Sequence, residues 1–89
     1  MHLTIFYRPN SEHATSTERY VDEFHGLHPD VPIELIDADS IDGSTSVELY
    51  DIVRYPSVIA TSSDGQLLGM WMGVLPLMDD VLSRVIGYL

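Results

Sequence analysis

Cysteine is absent from this chain of 89 residues, and so is lysine. The first absence removes disulfides, thiolate metal sites and cysteine nucleophiles from the chemistry open to the chain. The second leaves four arginines against fourteen acidic residues, a formal net charge of −10. A polyanion would be repelled, so nucleic acid and anionic membrane are poor partners. The acidity reads first as a device for solubility and second as steering toward a basic partner. No apolar run approaches the roughly 18 residues of a membrane span. The opening residues, MHLTIFY, carry neither a basic leader nor a small-residue cleavage site, so the expectation is a cytoplasmic protein whose first strand begins at once. Repeats, linkers and low-complexity tracts are missing too.

What remains is 45% apolar, with five Tyr, two Phe and one Trp, enough for one globular domain with a single core. Residues 2–7 (HLTIFY) read as a strand, with Leu3, Ile5 and Tyr7 on one face, broken by Arg8-Pro9-Asn10. Tyr20, Val21, Phe24 and Leu27 fall at helical spacing, closed by Gly26 and Pro29. Thr15 with Glu18 fits a capping box for that helix, while Asn10 or Ser11 would cap a longer one. Residues 32–37 (PIELID) form a second strand, followed by an expected polar loop, ADSIDGSTS, and a brief helix around Val47, Leu49, Tyr50 and Ile52. Residues 57–61 (SVIAT) make a third strand, Ser63-Asp64-Gly65 a hairpin turn, and Gln66–Met72 an antiparallel fourth strand. A stripe of Leu77, Met78, Val81, Leu82, Val85, Ile86 and Leu89 predicts a last helix. Pro76 suits its first turn, and Asp79 and Asp80 complement its positive dipole end. The order is βαβαββα, with the first two strands parallel across a helical crossover and the hairpin reversing the chain.

This order resembles the minimal thioredoxin-like fold, with a mixed four-stranded sheet and helices on both faces. "LYDIVRYPSVI" (49–59) resembles the stretch in which a proline opens a strand; in that family the proline is cis and walls the active site, which here is Pro56. "DGQLLGMWMG" resembles the hairpin that follows, with Gly73 ending its second strand. "LTIFYRPNSEHA" (3–14) is similar to the glutaredoxin strand, loop and helix start that present a Cys-x-x-Cys pair. Here Ser11 and Ala14 stand where the two cysteines belong, so Ser11-Glu12-His13-Ala14 reads as a substituted Cys-Glu-His-Cys. Family chemistry needs a thiolate that attacks a disulfide. A serine hydroxyl without a base is a poor nucleophile, and alanine resolves nothing. The chain is therefore expected to be redox-inactive as written.

The resemblance implies a ligand groove formed by Arg8, Asn10, Ser11, Glu12, His13, Tyr55 and Pro56. It would take a peptide or a glutathione-like ligand, the latter with Arg8, the backbone around Tyr55, and Asp79 or Asp80. The spacing from Gly73 to Asp79 is longer than the glutaredoxin glycine–aspartate motif. The alternative is a Cys-substituted form of a thiol–disulfide oxidoreductase serving cell redox homeostasis. No cofactor and no metal are expected. Ser11, His13 and a carboxylate do not make a hydrolytic triad by spacing, since no nucleophile elbow is present. "DADSIDGSTSVE" (37–48) imitates a calcium loop but places Ile41 and Asp42 where an oxygen ligand and a glycine belong. His25, His28 and Asp30 read as loop residues, and Ser11, Thr15 and Ser16 as solvated caps. Met70, Trp71 and Met72 form an apolar cluster, either core packing or the surface of a weak homodimer.

Overall fold

The structure of the protein is a computed structural model and describes residues 1–86, the side chains of 84–86 excepted. Strand β1 (His2–Tyr7) leads through helix α1 (Ala14–Leu27) to β2 (Ile33–Asp37), α2 (Ile41–Leu49), β3 (Ser57–Thr61), β4 (Leu67–Met72) and α3 (Met78–Ile86). The sheet order is β2-β1-β3-β4. β1 and β2 run parallel, from Leu3 opposite Ile33 to Tyr7 opposite Asp37. A parallel pair cannot be joined by a tight turn, so α1 serves as the crossover. β3 lies antiparallel to both β1 and β4. Asp64 and Gly65 turn the hairpin, with Gly65 at φ 88° and its N–H donating to the Ser62 carbonyl at 3.0 Å.

Each central strand buries side chains on both faces, as strands sandwiched between helices must. On one face Leu3, Ile5, Val58, Ala60 and Leu68 meet Phe24 of α1 and Val81 of α3. On the other, Phe6 and Ile59 meet Ile52, with Val47, Tyr50, Tyr55 and Met70 packed around them. The domain is thus an α/β sandwich with a mixed four-stranded sheet. The period-2 rule also splits the apolar trio of β4. Trp71 joins the α1–α3 side while Met70 joins the α2 side, so Met70, Trp71 and Met72 are not one cluster. No helix among the described residues is long and apolar enough to cross a membrane.

β2 and β4 each begin one residue later than the sequence expectation, and the three helix starts differ from it more instructively. α1 uses neither Thr15 nor Asn10 nor Ser11 as its cap: His13 holds the N-cap position without a side-chain cap bond. Its carbonyl instead accepts from Ser16 Oγ at 3.0 Å and Thr17 Oγ1 at 2.8 Å. α2 begins at Ile41, inside the stretch expected to be loop, because Ser40 caps it by accepting from the Gly43 N–H at 2.9 Å. Gly43 is what lets this helix start so close to β2: a Cβ there would stand 2.0 Å from the Asp37 carbonyl oxygen. α3 starts at Met78, leaving Pro76 ahead of its first turn, with Asp79 and Asp80 at its N-terminal end as expected. Of its apolar stripe, the side chains of Val85 and Ile86, and Leu89 altogether, lie outside the described residues.

Candidate functional site

Parallel pairing puts the loops that follow β1 and β2 side by side, because Tyr7 and Asp37 end their strands in register. Between them lies a cleft of about 440 Å³ lined by Arg8, Pro9, Asn10, Ser11, Asp37 and Asp39. Crevices at the carboxyl ends of parallel strands are habitual ligand sites in α/β proteins. The loop of residues 8–13 is folded on itself. The Arg8 carbonyl accepts from the Ser11 N–H at 3.2 Å and from Ser11 Oγ at 2.6 Å. In return, the Arg8 N–H donates to His13 Nε2 at 3.2 Å.

These bonds decide one chemical question. The Ser11 hydroxyl donates to a carbonyl, and the acceptor nitrogen of His13 is occupied by a backbone N–H. No Ser–His nucleophile is assembled, as the spacing already indicated. The Ser11 carbonyl accepts from the Ala14 N–H at 3.3 Å, so the two positions share one turn. Ser11 is half-buried, whereas Ala14 is 8% exposed.

The Arg8 guanidinium lies 4.9 Å from the centroid of the Tyr55 ring, a cation–π contact from a cleft residue to Tyr55, which, like Pro56, is not itself among the cleft-lining residues. Its Nε stands 3.8 Å from Asp39 Oδ1. The Tyr55–Pro56 peptide is cis, and Pro56 is buried. The adjoining residues are pinned as well: Ser57 Oγ donates to the Arg54 carbonyl at 2.5 Å. The Arg54 stem lies over Gly73, where a Cβ would meet it at 3.3 Å. Deeper at the strand end, Tyr7 Oη donates to Glu18 at 3.4 Å. Burial first, and the Glu18 charge second, push the Tyr7 phenol above its ordinary range.

Of the residues singled out in the sequence, Arg8, Asn10 and Ser11 share the cleft and Tyr55 stacks on Arg8. His13 ties the loop through the Arg8 amide, and neither it nor the exposed Glu12 lines the cleft. Asp79 and Asp80 are not among its lining residues; the Asp80 charge acts instead on Tyr20. Asp37 and Asp39 were missed as cleft residues. The parallel register was the signal that could have found them. The segment 37–48 is a turn plus α2, not an acidic loop, with Asp42 and Glu48 on the helix. Among the described residues no group of three or more His, Asp or Glu converges as a metal site. His28 tilts against the Phe24 ring, centroids 5.2 Å apart, while His25 is exposed. A second cleft of about 650 Å³ opens at the other end of the sheet, lined by Met1, His2, Val31, Thr61 and Ser62 among others.

No family model matches the chain, and no curated protein matches it. Solved structures do. Thioredoxin from Trypanosoma brucei brucei superposes with a TM-score of 0.77 at 21% identity, covering 98% of this chain and 73% of that one. The germline-specific thioredoxin Deadhead of Drosophila melanogaster gives 0.74 at 16% identity over 99% and 79%. Oxidized mitochondrial thioredoxin 3 of Saccharomyces cerevisiae gives 0.72 at 20% identity over 99% and 77%. The chain has a thioredoxin-like fold. On that thioredoxin-like scaffold the loop ahead of α1 carries Ser11-Glu12-His13-Ala14, and the chain holds no cysteine anywhere.

Proposed function

We propose that this thioredoxin-like domain is a binding module without thiol chemistry of its own, taking a peptide or glutathione-like ligand in the groove beside Pro56. The observation that carries the reading is the Arg8–Tyr55 contact, which links the cleft-lining Arg8 to the residue before Pro56. In a chain with fourteen acidic residues and four arginines, Arg8 offers a cation at the cleft where a ligand carboxylate would be attracted. Asp37 and Asp39 line the same cleft and suit an amino group. Peptides and glutathione carry both charges. Backbone beside Pro56 would pair with an extended ligand, as in strand-addition recognition. Titrating labelled protein with glutathione and with short peptides tests this. Shifts are expected at Asn10–His13 and Arg54–Ser57 and are lost in Arg8→Ala. No perturbation across those two segments would overturn it.

A second reading keeps the same site: a thiol–disulfide oxidoreductase whose cysteines have been replaced. It is favoured by one observation, the shared turn of half-buried Ser11 and buried Ala14. Restoring Ser11→Cys with Ala14→Cys should then yield disulfide reduction. A folded but inert double variant rejects it.

A further inference from the structure

The guanidinium that lines the cleft already has a carboxylate beside it. Arg8 Nε stands 3.8 Å from Asp39 Oδ1, and both residues line the cleft between the β1–α1 and β2–α2 loops. Tyr55 takes up a further side of the same group, its ring centroid 4.9 Å from the guanidinium carbon. Asp37 is the remaining charged residue of the lining, and among the described residues it forms no ion pair. Its Oδ1 accepts from the Asp39 N–H at 2.8 Å, so the two aspartates share one turn. The lining therefore sets two carboxylates against one guanidinium, in a chain whose net charge is −10.

We infer that Asp39 sets the charge preference of the cleft, engaging Arg8 against incoming carboxylates and so favouring a peptide's cationic group. This rests on the binding reading above and narrows its ligand to peptides with a free amino group or a basic side chain. Asp39 and a ligand carboxylate compete for one donor set, since a guanidinium pairs best with a carboxylate that reaches its N–H fork unhindered. At 3.8 Å Asp39 makes no hydrogen bond to Arg8, yet its charge offsets that of the guanidinium. A ligand carboxylate entering the cleft meets one cation and two anions, Asp37 as well as Asp39. A ligand cation meets the reverse balance, and pairing with Asp37 displaces no existing partner ion. Glutathione, with more carboxylates than amino groups, is the less favoured of the two ligand types. The Arg8 and Asp39 side chains are 55% and 66% exposed, so their contact bears on selectivity far more than on folding.

Titrating labelled protein with two forms of one short peptide of uncharged side chains tests the inference. One form has a free amino end and an amidated carboxyl end; the other is acetylated and ends in a free carboxylate. The amine form should bind the unaltered protein about fivefold more tightly, the scale of one exposed ion pair. That comparison needs no variant. Asp39→Asn keeps the shape of the side chain and removes its charge. The preference should then shrink by roughly threefold, the acetylated form gaining affinity and the amine form losing it. Equal or tighter binding of the acetylated form by the unaltered protein overturns the inference and leaves the binding reading standing. So does a preference that Asp39→Asn leaves unchanged. If neither form nor glutathione shifts any resonance of the cleft, the binding reading falls and this inference falls with it.

Discussion

The backbone N–H of Arg8 donates to Nε2 of His13 at 3.2 Å, so one side-chain nitrogen closes the 8–13 loop beside the candidate cleft. His13→Ala should remove that acceptor and cost no more than about 1.5 kcal/mol. Amide exchange at Arg8 should quicken in the variant; unchanged exchange would show that the ring does not hold the loop.

Gly43→Ala should destabilise the protein by roughly 2–3 kcal/mol, in the range of overpacked sites. The added carbon would stand 2.0 Å from the Asp37 carbonyl oxygen, a backbone atom that cannot rotate away. Urea unfolding of the two proteins checks this. A change within experimental error would mean that α2 starts further from β2 than described.

Tyr20 donates its hydroxyl to the Pro76 carbonyl at 2.8 Å, tying α1 to the segment ahead of α3. Burial, and then the Asp80 charge, push its phenol up from 10.0 to about 12. The folded value lies above the unfolded one, so the neutral phenol stabilises the fold fully below pH 10 and loses that effect as pH climbs toward 12. Melting temperatures should fall across that window, and less steeply in Tyr20→Phe. At neutral pH the same variant should cost about 1 kcal/mol for the lost bond.

Phe24 and Leu27 sit on the same helix and separate burial from mere hydrophobicity. Phe24 is 0% exposed between Leu3, Ile5 and Val81, while Leu27 is 66% exposed. Phe24→Ala should cost about 3–5 kcal/mol by transfer and cavity. Leu27→Ala should stay within roughly 0.5 kcal/mol. Chemical denaturation of the pair measures both.

The strands were legible in the sequence because their apolar periods and their Gly or Pro boundaries agreed; β1 and β3 fall at the expected residues. α2 was hard to read for a physical reason. Its composition, IDGSTSVEL, is poor in helix formers, and it holds together through local bonds: the Ser40 cap, and Ser44 and Thr45 hydroxyls donating to the Ile41 carbonyl. The start of α1 was missed because its cap is a histidine with no cap bond, held by the turn that Arg8 and Ser11 form. At the cleft, the residues of the β1–α1 loop could be named from their sequence neighbourhood. Asp37 and Asp39 reach it only through strand pairing, which no local signal encodes.

The strand order β2-β1-β3-β4 bears on how the chain is made. β1 is central, yet its antiparallel neighbour arrives only with residues 57–61. During synthesis β1, α1 and β2 can dock first, since they are contiguous. Until β3 leaves the ribosome, that half-domain exposes the flank of β1 bearing Leu3, Ile5 and Phe6 contacts that later belong to Ala60, Val58 and Ser57. The newborn chain thus passes through an interval in which its central strand is open on one side, and the rate of translation through the α2 region sets how long that interval lasts.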